Sequence, residues 1–174
     1  MVIKMKIKKH FIIITKHKWE VFKACCKAGI IWRGIKHDIS KYNPIEFFEY
    51  AKYYNGEMSP VDKCKQINGY CESWQHHKGH NSHHWEYWID YQNGKLIPTK
   101  IPYKDLLELI CDWIGAGKVY EKEKWNFTKP YDYFSKKRNM FILHPETEKC
   151  LCQILLNFSK RGFEVLKNLK NIYK

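Results

Sequence analysis

Arginine is nearly missing from this 174-residue chain: 28 of its 31 basic residues are lysine, and only Arg33, Arg138 and Arg161 carry a guanidinium. Lysine lacks the planar fork that reads base edges or grips a phosphate bidentately. The formal charge of +13 therefore draws anions without specifying a nucleic-acid sequence. Long apolar runs are missing as well. Near the N-terminus the longest is Phe11-Ile12-Ile13-Ile14, too short for a signal-peptide core or a bilayer span, so no membrane partner is expected. No CxxC occurs among Cys25, Cys26, Cys64, Cys71, Cys111, Cys150 and Cys152, and seven is an odd number. That usage excludes a zinc ribbon and disfavours a disulfide framework; reduced, mostly buried thiols in a cytoplasmic protein are expected. Repeats, low-complexity tracts and Gly/Ser linkers are absent, so nothing marks a domain boundary.

What is present is core material and helix punctuation. Hydrophobic residues make up 44% and aromatics 16%, enough for one domain with a true core. Asn43-Pro44-Ile45-Glu46 reads as a capping box with proline at the first helical position, closed by Asn55-Gly56. Ser59-Pro60-Val61-Asp62 opens a second helix carrying Val61, Cys64, Ile67, Cys71 and Trp74 at helical spacing. Ile101-Pro102 opens a third, striped by Leu106, Leu109, Ile110 and Trp113. His144-Pro145-Glu146 opens a fourth through Leu151, Ile154, Leu155 and Phe158, extended by Phe163, Leu166 and Leu169. Upstream, residues 16–34 read as a helix, and Met5–Ile14 is the one plausible strand. The stretch from about 118 to 142 interleaves seven basic residues with aromatics such as Tyr120, Trp125, Phe127, Tyr131, Tyr133 and Phe134 and reads as a long, partly irregular loop. The expected fold class is all-α, a single helical domain over 1–174.

Five of the nine histidines fall within nine residues, His76-His77-Lys78-Gly79-His80-Asn81-Ser82-His83-His84. Gly79, Asn81 and Ser82 place a break between two helices there, the second beginning with His83 and His84. Two helix ends meeting at such a corner can aim several imidazoles at one point; a solvated polar turn is the plainer alternative. His37-Asp38 pairs a borderline imidazole with a hard carboxylate, a donor set suited to Zn, Mn or Fe. His17 lies with Val21, Ala24 and Ala28 on one helical face, where a satisfied core histidine is the alternative. Asp112 sits among apolar neighbours, and also continues Asp105 and Glu108 as a conceivable solvated acidic stripe.

The order His17, His37-Asp38, the His76–His84 cluster, Asp112 resembles the HD-domain superfamily of metal-dependent phosphohydrolases, all-α proteins whose ligands arrive from successive helices. His37-Asp38-Ile39-Ser40-Lys41 is similar to that superfamily's HD-x-[GS]-K signature, and the intervening histidines are similar to its binuclear branch. Trp74-x-His76-His77, Asn81-x-His83-His84-Trp85, Cys111-Asp112-Trp113 and His144-Pro145-x-Thr147 resemble a family of small His-rich proteins of bacteria and their phages. The resemblance spans roughly residues 15–150 and implies His17, His37, Asp38 and Asp112 as metal ligands. One histidine from His76/His77 and one from His83/His84, His77 and His84 by preference, would complete a second ion. His76, His80, His83 and Glu46 stand as alternative or supporting ligands, and Lys41 as the contact to substrate phosphate.

The implied cofactor is one or two divalent ions, Mn, Fe, Zn, Ni or Co with Mg also admitted, and Asp38, Lys41 and Asp112 would carry catalysis. Such ions lower the pKa of bound water toward about 7 and polarise phosphoryl oxygens. The expected activity is hydrolysis of a phosphomonoester or phosphodiester, a nucleotide or cyclic nucleotide first. The glycine-rich turn of cyclic-di-GMP-cleaving members is missing, which argues against that substrate. Two other classes compete: a nucleic-acid-binding module, suggested by charge and 28 aromatics, and a non-catalytic helical protein stabilised by metal.

Overall fold

The computed structural model describes residues 2–56 and 58–167, and helix dominates them. Helix α1, Val2–Ala28, is continuous. His10, Ile14, His17, Val21, Ala24, Cys25 and Ala28 are its buried positions, spaced by three or four. That stripe also overturns the strand expected over Met5–Ile14: its apolar run continues a helical period in which His10 is a buried member. The expected helix over 16–34 is interrupted at Gly29, which takes φ +78° and lets Ile30 N donate to Cys25 O at 3.0 Å. Helix α2, Ile31–Lys36, follows and ends at His37.

Asn43 caps α3, Pro44–Tyr53, its side chain accepting from Ile45 N at 3.0 Å. Glu46 does not close the expected capping box; its fully buried carboxylate reaches across to α5 instead. The helix expected to run from Ser59 past Trp74 is two helices. Helix α4, Pro60–Asn68, stops at Gly69 (φ +77°), and α5, Glu72–His80, starts after Cys71. His83 and His84 do not open a second helix; they lie in a turn before the 3-10 segment Trp85–Trp88.

The strands among the described residues are β1, Ile89–Gln92, and β2, Lys95–Pro98, an antiparallel hairpin in register Gln92↔Lys95. Asn93 and Gly94 turn it at φ +50° and +77°, the paired positive φ of a tight hairpin turn. Helix α6, Tyr103–Glu121, is the core element and lies against α1. Gly115 allows the contact, since a Cβ there would meet Val21 N at 2.9 Å and Val21 Cα at 3.2 Å. The expected 118–142 loop is mostly helical: α6 runs to Glu121 and α7 spans Lys129–Lys137, with Pro130 and Phe134 buried one turn apart. His144 caps α8, Pro145–Arg161, and α9, Glu164–Lys167, follows a turn at Gly162. Leu169 lies outside the described residues.

The core is one cluster from α1, α6, α7, α8 and α9, including Val21, Ile110, Ile114, Phe134, Leu151, Phe158 and Leu166. A small satellite of Tyr50, Cys64 and Cys71 holds α3, α4 and α5 together. Among the described residues no helix is long and apolar enough to cross a membrane.

Candidate metal centre

Backbone shape first brings His37 and Asp38 inward together. Adjacent residues normally diverge, but Asp38 occupies the left-handed region (φ 52°, ψ 27°) between α2 and the 3-10 segment Ile39–Tyr42. Both side chains end up buried. Lys18 fixes the approach by donating to the carbonyls of Ile35 at 2.8 Å and His37 at 2.5 Å.

Asp38 then faces two groups of donors, one per carboxylate oxygen. Its Oδ2 lies 3.2 Å from His17 Nε2 and 3.3 Å from His37 Nε2. Asp112 Oδ1, from α6, closes that group at 3.0 Å from His17 Nε2 and 3.4 Å from His37 Nε2. The Oδ1 of Asp38 lies 3.3 Å from His77 Nε2 and 3.5 Å from His83 Nε2. His84 joins this second group, whose ligand atoms, like those of the first, all lie within 4.8 Å of one another. Bonds near 2 Å to a shared ion would need donor separations of this order.

Hydrogen bonding supplies an independent test of fit. Asp38 Oδ1 and the Nε2 atoms of His37, His77, His83 and His84 are buried without a hydrogen-bond partner among the described residues. An orphaned buried polar atom costs about 1–3 kcal/mol, and five of them within the two donor groups is a pattern that bound cations relieve. The donor set, imidazole with carboxylate, suits divalent Mn, Fe, Co, Ni or Zn.

The opposite ring nitrogens are held by two glutamates. Glu108 Oε1 accepts from His37 Nδ1 at 2.9 Å and lies 3.4 Å from His83 Nδ1, while its Oε2 accepts from Arg33 Nε at 2.6 Å. Glu46 contacts His77 Nδ1 at 2.8 Å and His76 Nδ1 at 2.7 Å. Such contacts select the tautomer that leaves Nε2 free to ligate. Glu46 is thus a support for His77, outside both donor groups. His76 is bound to Glu46 and stacked on the exposed His80, and neither histidine enters a donor group. From the pair His83/His84 the structure brings in both, where one was expected.

Electrostatics follow this packing. Burial opposes charge on His37, yet Asp38, Asp112 and Glu108 raise its pKa well above the usual imidazole value. Burial likewise opposes the Asp38 carboxylate, which His37, Lys41 and His77 hold well below its ordinary range. Burial, then His83 and His77, keep His84 well below the ordinary value and therefore neutral. Lys41 Nζ sits 2.5 Å from Asp38 Oδ2, and that carboxylate outweighs burial to push the ammonium up to about 12.

A cavity of about 650 Å³ opens against the centre. His17, Lys41, His77, His84 and Asp112 form its floor, and Trp74, Trp85, Trp113, Tyr133 and Phe141 are among its walls. Lys65, Lys129 and Lys137 add positive charge.

Sequence reasoning missed Glu108 and Arg33 as parts of the centre. The signal for Glu108 was a carboxylate inside Leu106-Leu107-Glu108-Leu109-Ile110, one turn before Asp112 on the same helix face.

Fold and site together define a mostly helical protein whose buried His/Asp/Glu clusters can hold a metal ion. The chain matches the family described as "Family of unknown function (DUF5662)" over residues 6–157, and it belongs to that family. No curated protein and no solved structure matches it.

Proposed function

We propose that the protein is a metal-dependent phosphohydrolase acting on a small phosphorylated molecule, a nucleotide or cyclic nucleotide first. The observation that carries this reading is Asp38, whose two oxygens face two separate donor groups beside one cavity. A carboxylate so placed suits two adjacent ions, and the resemblance of His37-Asp38-Ile39-Ser40-Lys41 to the HD signature points the same way. Bound ions would supply an acidified water and neutralise phosphoryl charge.

The chain's own groups do the rest. His17, His37 and Asp112 hold one side and His77, His83 and His84 the other. Lys41 is partly exposed, lines the cavity and offsets charge on a phosphoryl oxygen as a point cation. Lys65, Lys129 and Lys137 attract the anion. The aromatic walls offer faces for a planar ring, which favours a nucleotide over a plain sugar phosphate. The cavity also supports catalysis over a purely structural metal, because closed structural sites need no such space.

The test is a panel of nucleotides, cyclic nucleotides and generic phosphoesters with Mn, Co, Ni, Zn and Mg. Turnover with at least one metal is expected. Asp38→Ala should abolish it, and Lys41→Ala should lower kcat/KM by roughly 10²-fold with metal content unchanged. No turnover under any metal, or an Asp38→Ala protein as active as the parent, would leave a non-catalytic metal protein as the better reading.

A further inference from the structure

Glu49, Cys64 and Cys71 meet where α3, α4 and α5 converge, away from the histidine donor groups. Cys64 lies midway along α4 and Cys71 is the residue before α5; both are fully buried. Glu49 reaches them from α3, and one ligand atom from each residue lies within 4.8 Å of the others. Cys71 Sγ is 3.5 Å from Glu49 Oε2, a separation that fits two tetrahedral ligands with bonds of about 2.0–2.3 Å. Glu49 is held in place by Ser73, whose backbone N donates to Oε2 at 2.7 Å and whose hydroxyl also donates to it. Among the described residues the thiols make long contacts: Cys71 to Glu49 Oε2 and to Ser73 Oγ, each at 3.5 Å, and Cys64 to Tyr70 O at 3.6 Å and to Asn68 Nδ2 at 3.5 Å.

We propose that Glu49, Cys64 and Cys71 form a second metal site, distinct from the histidine centre, that takes a thiophilic ion of the zinc class. Thiolate pairs prefer soft or borderline cations, and three protein donors leave one tetrahedral position for water. On binding, each thiol releases its proton to solvent, so a dication meets three negative donors and the complex carries one net negative charge. That charge sits at the N-terminus of α5, where the backbone amides favour an anion. Without an ion, burial pushes the Cys64 thiol up, which keeps it protonated and argues against a reactive redox cysteine.

The packing gives the site a role. The satellite core here buries only Tyr50, Cys64 and Cys71 fully, with Tyr53, Val61 and Trp74 partly covered. So small an apolar cluster is a weak tether, and an ion linking three helices would add to it. Helix α5 also carries His77, so the link would steady one side of the histidine centre.

Cobalt(II) added to the reduced, full-length protein is the test. A near-ultraviolet sulfur-to-cobalt charge-transfer band is expected, lost in the Cys64→Ser/Cys71→Ser double variant and retained in Asp38→Ala. Imidazole and carboxylate ligands give no such band, so failure here is distinguishable from failure of the histidine centre. No band in the parent protein overturns the proposal. So does an undiminished band in the double variant, which would place the thiolates at other cysteines. Should the double variant not fold, zinc X-ray absorption on the Asp38→Ala protein decides. A sulfur shell at about 2.3 Å is expected, and its absence overturns the proposal.

Discussion

Asp38 and Glu108 divide the work at the centre: one carboxylate faces the donor groups and the other holds the rings that form them. The left-handed conformation of Asp38 costs on the order of 1 kcal/mol, and it is what aims two consecutive side chains inward. Glu108 has no place in either Asp38 donor group, yet it contacts His37 and His83 through their Nδ1 atoms. Glu108→Gln should therefore keep the fold and weaken metal affinity by roughly 10–100-fold, measured by competition with a chromophoric chelator. Unchanged affinity would refute the tautomer-selecting role. His10 makes a different prediction. It is buried among the rings of Phe47, Tyr50 and Tyr54, with neither nitrogen hydrogen-bonded among the described residues. Burial, then nearby Lys41, lowers its pKa from 6.5 to about 4. Between those values the unfolded chain binds the proton more readily than the native state, so His10 makes stability fall as pH drops from 6.5 toward 4. His10→Phe should flatten that part of the stability–pH profile relative to the parent, as read by urea midpoints. Parallel profiles would show that His10 does not contribute.

The centre depends on α1 and α6 lying close enough for His17 and Asp112 to touch. Gly115 sets that approach, because Val21 occupies the space a side chain would need. Gly115→Ala pits a small helix-propensity gain against overpacking with backbone on the opposing side. A loss of roughly 1–3 kcal/mol is expected in urea unfolding, with weaker metal binding as α1 is pushed off. A variant as stable as the parent would show that the helices can yield. Helices α1 and α7 show what the sequence concealed at this scale. In α1 the segment Met5–Ile14 reads as a strand by its sequence, while the period that matters passes through His10 and His17. In α7 the density of lysines and aromatics hid Thr128 and Pro130, ordinary signals of a helix start.

Across the whole molecule the charges are sorted. Asp38, Glu46, Asp105 and Glu108 are buried, so four of the 18 acidic residues are withdrawn from a surface left strongly basic. A protein arranged in this way should gain stability if a cation binds in its interior. Manganese(II), which prefers nitrogen and oxygen donors and so spares the cysteine cluster, should raise Tm. At about 100-fold excess over Kd the gain is about 2.7 kcal/mol, or roughly 5–10 °C for a chain of this size. A chelator should reverse the shift, and Asp38→Ala should not show it. A Tm indifferent to manganese would contradict the centre as described.

By itself the sequence determined the helical class, the starts of α3, α4, α6 and α8 and the residue types of the centre. Pro44, Pro60 and Pro145, with caps such as Asn43 and His144, act through neighbouring backbone, so local chemistry was enough. The order of His17, His37-Asp38, the His76–His84 cluster and Asp112 was legible for the same reason: it is a property of the chain. Only the tertiary structure decided that both His83 and His84 face Asp38, and that His76, His80 and Glu46 stand outside the donor groups. It alone tied Glu108 and Arg33 to the centre, and joined Glu49 to Cys64 and Cys71. Those choices rest on which side chains meet across long stretches of chain, as His37 and Glu108 do across 71 residues, and no local spacing encodes such a meeting.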